Sequence, residues 1–138
     1  MKSNIYTIKE AYNPSSISGD GEKGLIIVIS QKDMDQNLQT LQGLVKAIKF
    51  DIEKDVKILT LETQSIEINS ILNQLSLNTL ILIGITPDQV GFSLNAKKYF
   101  LYKMEKFSLL LSDSLSEINA DKSKKMAFWK NLQEQFLN

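Results

Sequence analysis

The loop that follows the apolar run 80–83 is the first candidate for a ligand site. It reads Gly-Ile-Thr-Pro-Asp-Gln-Val-Gly-Phe from residue 84 to residue 92. Open α/β folds bind ligands where parallel strands end, and glycine lets the backbone approach a ligand closely. The candidate ligand residues are therefore Gly84, Thr86, Asp88 and Gly91. The favoured alternative is that Gly84 only turns the chain and Pro87 opens a short helical turn, because Asp88 has no evident charged companion nearby.

Three further acids are candidates for catalysis or for structure. Asp33 and Asp35 come just after the apolar run 25–30, and Asp113 follows the run 107–112. An undetected enzyme would rely on Asp33, Asp88 or Asp113. The favoured interpretation of Asp33 and Asp35 is that they cap the helix that follows them or lie in its first turn, where the helix dipole stabilises a negative charge.

The residue types that are missing exclude most catalytic systems. The chain has no histidine and no cysteine, and all of its 16 basic residues are lysine. Nucleophiles that depend on a histidine base, thiolate catalysis and arginine fingers cannot be built from it. No catalytic residue, metal or cofactor is therefore predicted. The formal net charge of zero does not favour nucleic acid, and no apolar run is long enough to cross a bilayer, so a cytoplasmic protein is predicted.

The elements that must position these residues are typical of an α/β fold. Continuous apolar runs at 25–30, 56–61 and 79–84 predict buried strands, and the apolar spacing at 34–49 and 66–77 predicts helices between them. This alternation predicts right-handed βαβ crossovers. Residues 98–105 are predicted to form a strand that makes a hairpin with 107–112, with a short helix as the alternative. The fold class is a single-domain, three-layer α/β/α fold with a mainly parallel open sheet of four or five strands.

The two ends of the chain differ in character. Residues 1–24 are predicted to be a flexible segment because 13–24 is rich in glycine, serine and proline, and residues 25–138 form the α/β domain. Four apolar residues of the flexible segment could contact a partner: Ile5, Tyr6, Ile8 and Tyr12. At the other end, Asp121 is predicted to cap a helix reaching residue 136. Phe128, Trp129, Leu132 and Phe136 share one face of that helix, which favours core packing over base stacking.

The C-terminal residues 112–136 resemble the end of the bacterial DNA polymerase III psi subunit family. The shared pattern is a short leucine-bearing turn, a few polar residues, and Ala-Phe-Trp-Lys-x-Leu near an aromatic residue at the close of the chain. Chain length, the strand–helix–strand order across 56–84 and the loose N-terminal segment are also similar. The resemblance implies a small α/β fold without catalysis that connects the clamp loader to a chi-like subunit, which contacts single-stranded-DNA-binding protein. It also implies that residues 1–24 are the tether to the clamp loader.

Two other functions stay open. One is a small-molecule-binding or nucleotide-binding α/β domain that uses the loops after the first and third strands. The other is an inactive relative of the uracil-DNA glycosylases, which are also α/β proteins with parallel sheets. Those enzymes usually need a histidine in a late loop, and this chain has none. The connector function is the prediction that we carry to the structure.

Overall fold

The structure is a computed structural model that describes residues 16–61, 78–90, 97–104 and 106–137. Its strands are β1 (Ser16–Ser18), β2 (Leu25–Ser30), β3 (Val56–Leu61), β4 (Thr79–Ile83), β5 (Tyr102–Lys103) and β6 (Ser108–Ser112). Its helices are α1 (Gln31–Gln36), α2 (Leu38–Ala47), α3 (Leu115–Ala120) and α4 (Lys122–Leu137), and Pro87–Val90 forms a 3₁₀ turn.

The strands form one mixed sheet in the order β1-β3-β2-β4-β6-β5. The four inner strands are parallel, whereas β1 and β5 are antiparallel to their neighbours at the two edges. In the central strand, Ile27 lies beside Ile58 of β3 and Ile81 of β4. The α/β fold class is thereby confirmed, as is the parallel pairing of the three predicted strands. The described sheet has six strands rather than four or five because short strands extend it at both edges.

Both faces of the central strand are buried. Ile27 and Ile29 belong to an apolar cluster that also contains buried residues of α2, α3 and α4. Ile26 and Val28 point to the opposite face and belong to a second cluster with residues of β3, β4 and β6. Burial on both faces explains why the strand is continuously apolar instead of alternating. The predicted helix at 66–77 lies outside the described residues.

Part of the predicted flexible segment is integrated into the fold. Residues 16–18 form β1 beside β3, and the loop that follows is held by backbone hydrogen bonds. The amide of Asp20 donates to the carbonyl of Glu53 at 2.8 Å, and the amide of Glu22 donates to that of Lys54 at 2.7 Å. Backbone pairing needs no apolar side chains, which is why composition did not reveal it. Residues 1–15 lie outside the described part of the chain.

The predicted helix at 34–49 is two helices that meet at Asn37. Asn37 has φ −131° and ψ 34°, so it belongs to neither helix. Its side-chain amide donates to the carbonyl and to the carboxylate of Asp33, at 3.1 and 3.0 Å. An aspartate cap is the wrong prediction, because Ser30 is the N-cap of α1 and its hydroxyl accepts from the amide of Asp33 at 3.0 Å. Asp33 instead lies in the first turn of α1, as the other form of the prediction had it.

The C-terminal elements follow the prediction in outline. Of the described residues 98–104, Tyr102 and Lys103 pair with β6 as a strand, so the hairpin that the structure describes is shorter than predicted. Asp121 precedes α4 and its carboxylate accepts from the amides of Ser123 and Lys124, which confirms it as the cap. On α4, the buried face contains Phe128 and Leu132, whereas Trp129 and Phe136 are partly buried against the same core cluster.

The turn after β4 depends on Gly84. Its φ of +66° lies in the left-handed region, which side chains with a Cβ rarely adopt. A Cβ on Gly84 would lie 2.9 Å from both the Cα and the Cβ of Ser114, which is closer than real Cβ contacts allow. The glycine thus permits the end of β4 to touch the chain just before α3.

We expect Gly84→Ala to lower the free energy of unfolding by about 1–3 kcal/mol, because the backbone is strained and Ser114 must move. Gly43→Ala is the matched control. Gly43 lies in α2 with open space around it, so alanine should raise the free energy of unfolding by about 0.5–1 kcal/mol. Urea titration monitored by circular dichroism measures both changes. Equal effects of the two substitutions would contradict the role assigned to Gly84.

Candidate functional site

The carboxyl ends of the parallel strands meet at one edge of the sheet, where doubly wound folds bind their ligands. The chain runs from β2 to β3 on one side of β2, whereas β4 lies on the other side. The crevice between β2 and β4 is therefore the expected ligand position. Here the polypeptide itself covers it, since Ser114, just before α3, lies against Gly84 at the end of β4, and the amide of Leu115 donates to Asp33, just after β2. The residues that follow Ser112 then lead into α3.

Asp33 holds the beginning of α3 in this crevice. Its carboxylate accepts from the amide of Leu115 at 2.7 Å and from the amide and hydroxyl of Ser116, both at 3.1 Å. Only 6% of Asp33 is exposed. The first amides of a helix have no partner within the helix and attract negative charge. The side chain of Asp33 thus makes the contacts that an anionic ligand would make at a helix N-terminus.

Asp113 forms a second buried charged cluster at the same edge. Its carboxylate accepts from the Lys98 ammonium at 2.6 Å and the Tyr99 hydroxyl at 2.7 Å, and Lys124 lies 3.4 Å away. Burial raises the pKa of Asp113, but the hydrogen bonds from Lys98 and Tyr99 outweigh burial and leave its pKa below the ordinary value. The hydrogen bond from Lys98 to Asp113 raises the pKa of Lys98. Burial, and then its own hydrogen bond to Asp113, raise the pKa of Tyr99.

The described residues of the predicted ligand loop form two turns of the backbone. Gly84 forms the turn described above, and Thr86 is exposed. Asp88 lies in the 3₁₀ turn Pro87–Val90, which confirms that Pro87 opens a short helical turn. Gly91 lies outside the described residues, as do the four predicted partner contacts, Ile5, Tyr6, Ile8 and Tyr12. Of the four loop residues, Gly84 lies beside Ser112 and Ser114, at the sheet edge that holds Asp113.

A cavity of about 480 Å³ opens beside the ends of β2 and β3. Its lining residues come from the end of each strand and from α1: Ser30, Gln31, Lys32, Asp35, Gln36 and Leu61. The side-chain amide of Gln31 donates to the carboxylate of Asp35 at 2.9 Å. Within the described ranges, no group of three or more histidine, cysteine, aspartate or glutamate residues could hold a metal ion. Five of its six lining residues have polar side chains, and it offers one lysine, Lys32, beside one acid, Asp35.

A groove of about 560 Å³ lies along the outer face of α4. Asn119 at the end of α3 lines it together with four residues of α4: Lys122, Lys125, Met126 and Trp129. Met126 is 63% exposed, more than the other exposed large apolar side chains among the described residues. The ammonium of Lys125 lies 5.6 Å from the centre of the Trp129 ring, within cation–π distance.

This groove escaped prediction from the sequence because Trp129 was assigned wholly to the core face. The signal was present, since residues 122, 125, 126 and 129 are spaced at i, i+3, i+4 and i+7 and so share one face of a helix. Phe128 and Leu132 lie on the inner face. Trp129 lies between the two faces, with its ring centre 6.1 Å from that of Phe128. The helix α4 therefore has apolar residues on two sides.

Comparisons with known proteins give no family for this chain. No protein-family model matches it, and no curated protein matches it. In the part of the chain that the structure describes, none of the helices has the length and apolar character needed to cross a membrane. The candidate site thus stands on its own geometry.

We expect Asp33→Ala to lower the free energy of unfolding by about 3 kcal/mol, because it leaves buried amide donors of α3 without an acceptor. Asp35→Ala is the control, since Asp35 is exposed and accepts from Gln31 only on the surface of α1. That control should change the free energy by less than about 0.5 kcal/mol. Chemical denaturation of both variants measures the two free energies. An Asp33→Ala variant as stable as the wild type would contradict the role assigned to Asp33.

The Asp113 cluster predicts how stability depends on pH. Because the folded pKa of Asp113 is depressed, its contribution is present above the unfolded pKa of about 3.9 and is lost as pH falls further. The folded pKa of Lys98 is raised, so its contribution is complete below the unfolded value of about 10.4 and is lost at higher pH. The stability difference between wild type and Asp113→Asn should therefore be largest between these limits. Thermal melts across pH measure it, and a difference independent of pH would contradict the assignment.

Proposed function

We propose that this protein is a non-catalytic connector that joins two other proteins in the cytoplasm. The resemblance to the psi subunit family supports a place between the clamp loader and a chi-like subunit or another partner of single-stranded-DNA-binding protein. The two buried acids of the described sheet edge hold the fold together, Asp33 through α3 and Asp113 through Lys98 and Tyr99. These contacts support a structural role for that edge, whereas the outer face of α4 offers a surface for another protein.

The observation that carries the proposal is the exposure of apolar side chains on α4. Met126 is 63% exposed and lies beside the partly buried Trp129 in the same groove. Methionine and tryptophan are enriched in protein interfaces, and tryptophan is common among the residues that contribute most to binding. A methionine side chain is also flexible enough to adapt to a partner. Covering this face would remove apolar surface from water, which is the main driving force of association.

The second contact of the connector is proposed for the N-terminal segment. Ile5, Tyr6, Ile8 and Tyr12 are the proposed anchors for the clamp loader, as the resemblance implies. The observed strand β1 sets a boundary for this segment, because Ser16–Ser18 pairs with β3 and belongs to the folded body. The proposed tether therefore comprises residues 1–15 rather than 1–24.

A second candidate function rests on the cavity beside β2 and β3. Its volume of about 480 Å³ lies within the usual range for small-molecule sites, and it opens where two parallel strands end. Lys32 supplies a positive charge there. This position supports a small anionic ligand such as a nucleotide, which would stabilise the folded protein by mass action. A shift of the melting temperature with millimolar nucleotide, lost in Lys32→Ala, would favour this function over the connector.

For the connector, we expect the full chain to bind the purified chi-like subunit or clamp loader of the same organism. Met126→Glu should weaken binding to the partner of α4 by roughly tenfold or more, because a charge replaces an apolar contact. Deletion of residues 1–15 should abolish binding to the other partner and leave the melting temperature nearly unchanged. Surface plasmon resonance measures both affinities.

The matched control is Ala127→Glu, which introduces the same charge at an exposed position on another face of α4, outside the groove. It should bind both partners as the wild type does. Binding to neither protein by the unmodified chain would overturn the replisome proposal. Loss of folding in the deletion variant would instead show that residues 1–15 contribute to the core.

A further inference from the structure

We propose that the groove on the outer face of α4 binds an acidic peptide segment that presents one apolar anchor side chain. This inference rests on the proposed connector function, because it names the chemistry of one partner. The groove combines two lysines with two apolar side chains in a volume of about 560 Å³. That volume lies in the range of pockets that enclose a specific ligand.

The shape of the site follows from the spacing of its residues on α4. Lys122, Lys125, Met126 and Trp129 form a stripe over two turns, which spans about 10 Å at 1.5 Å per residue. Asn119 closes one end, and its amide donates to the side chains of Asn37 and Thr40 at 2.9 and 2.8 Å. These bonds fix the end of α3 against α2. A short peptide segment, rather than a whole protein face, matches this length.

The charges of the groove favour an acidic partner. Among the described residues, Lys122 and Lys125 form no ion pair, whereas Lys124 is paired with Asp113 at 3.4 Å and Glu117 at 3.8 Å. Lys122 and Lys125 also lie in the first turns of α4, where the helix dipole disfavours positive charge. Two carboxylates of a partner would neutralise both lysines and offset this repulsion.

The apolar residues define the anchor position. Met126 is largely exposed, and the Trp129 ring is held by an edge-on contact with the Phe128 ring and by the Lys125 ammonium 5.6 Å from its centre. A ring held in this way loses little conformational freedom on binding, while Met126 adapts to the shape of the anchor. One leucine, phenylalanine or similar side chain can therefore pack between Met126 and Trp129, with acidic residues on either side of it.

Single-stranded nucleic acid is the competing ligand, and the observations favour the peptide. Nucleic-acid grooves combine a long basic track with several stacking aromatics. In its described lining this groove has two unpaired lysines and one aromatic ring, and the chain has no formal net charge. The exposed thioether of Met126 also offers no hydrogen bond to a phosphate. An oligonucleotide is therefore the probe that separates the two ligands.

The experiment titrates the full chain into fluorescein-labelled probes at two salt concentrations and measures anisotropy. The probes are an acidic peptide of about twelve residues with one central phenylalanine, its lysine-substituted version, its serine-for-phenylalanine version, and an oligothymidylate of similar length. We expect the acidic peptide with phenylalanine to bind at least about tenfold more tightly than the other three probes. Equal binding of the serine version, preferred binding of the oligothymidylate, or no binding of any probe would each overturn the proposal.

Charge reversals on α4 show where the peptide binds. Lys122→Glu and Lys125→Glu should each weaken binding of the acidic peptide by about tenfold, whereas Lys130→Glu should leave this affinity unchanged. Lys130 is exposed on α4 and does not line the groove. Because each variant replaces one lysine by glutamate, all three carry the same net charge. Lys122→Glu places an acid at the helix N-terminus and should raise the melting temperature. Weaker peptide binding by a more stable variant cannot result from unfolding. Equal losses of affinity in all three variants would show that the peptide does not bind in the α4 groove.

The outcome is separable from that of the connector function. If the chi-like subunit or the clamp loader binds through Met126 while the acidic peptide does not bind, the peptide inference fails and the connector stands. If the peptide binds through Lys122 and Lys125 but neither protein binds, the peptide inference stands and the replisome role fails.

Discussion

The carboxylate of Asp33 is the interaction on which the arrangement of the sheet edge depends. It lies just after the central strand β2 and accepts from the first amides of α3, which follows β6. One side chain thus ties the middle of the sheet to its far side. Because the carboxylate is buried, the hydrogen bonds must be complete for the fold to tolerate its charge. The same contact orients α3 against α1 and leads the chain into α4.

This use of an internal acid changes the chemistry of the edge. In doubly wound folds, the N-terminus of a helix beside the strand ends is available to a bound anion. Here the positive end of α3 is neutralised from within the chain. Asp113 likewise pairs with Lys98 and Lys124. The groove proposed for a partner takes its two lysines from α4 instead.

The parallel sheet could be predicted from the sequence because short, continuous apolar runs are typical of strands that are buried on both faces. It also placed Phe128 and Leu132 in the core, since their helical spacing reports burial directly. It could not reveal the role of Asp33, whose partners lie 82 and 83 residues away and offer mainly backbone amides. Strand β1 was missed because backbone pairing leaves no trace in composition. Trp129 was placed too deep because it lies at the border of two helix faces.

The distance between Asp33 and α3 along the chain also means that the central strand is completed late during translation. The central strand β2 is translated early, yet its neighbour β4, the next strand β6 and the covering residue Phe128 are translated later. During synthesis at about 5–20 residues per second, the apolar run of β2 therefore lacks its last covering element for several seconds. Topologies dominated by such distant contacts fold slowly. Until the C-terminal elements have emerged, the apolar run of β2 is therefore open to pairing with another molecule, the general hazard of strands that are covered late.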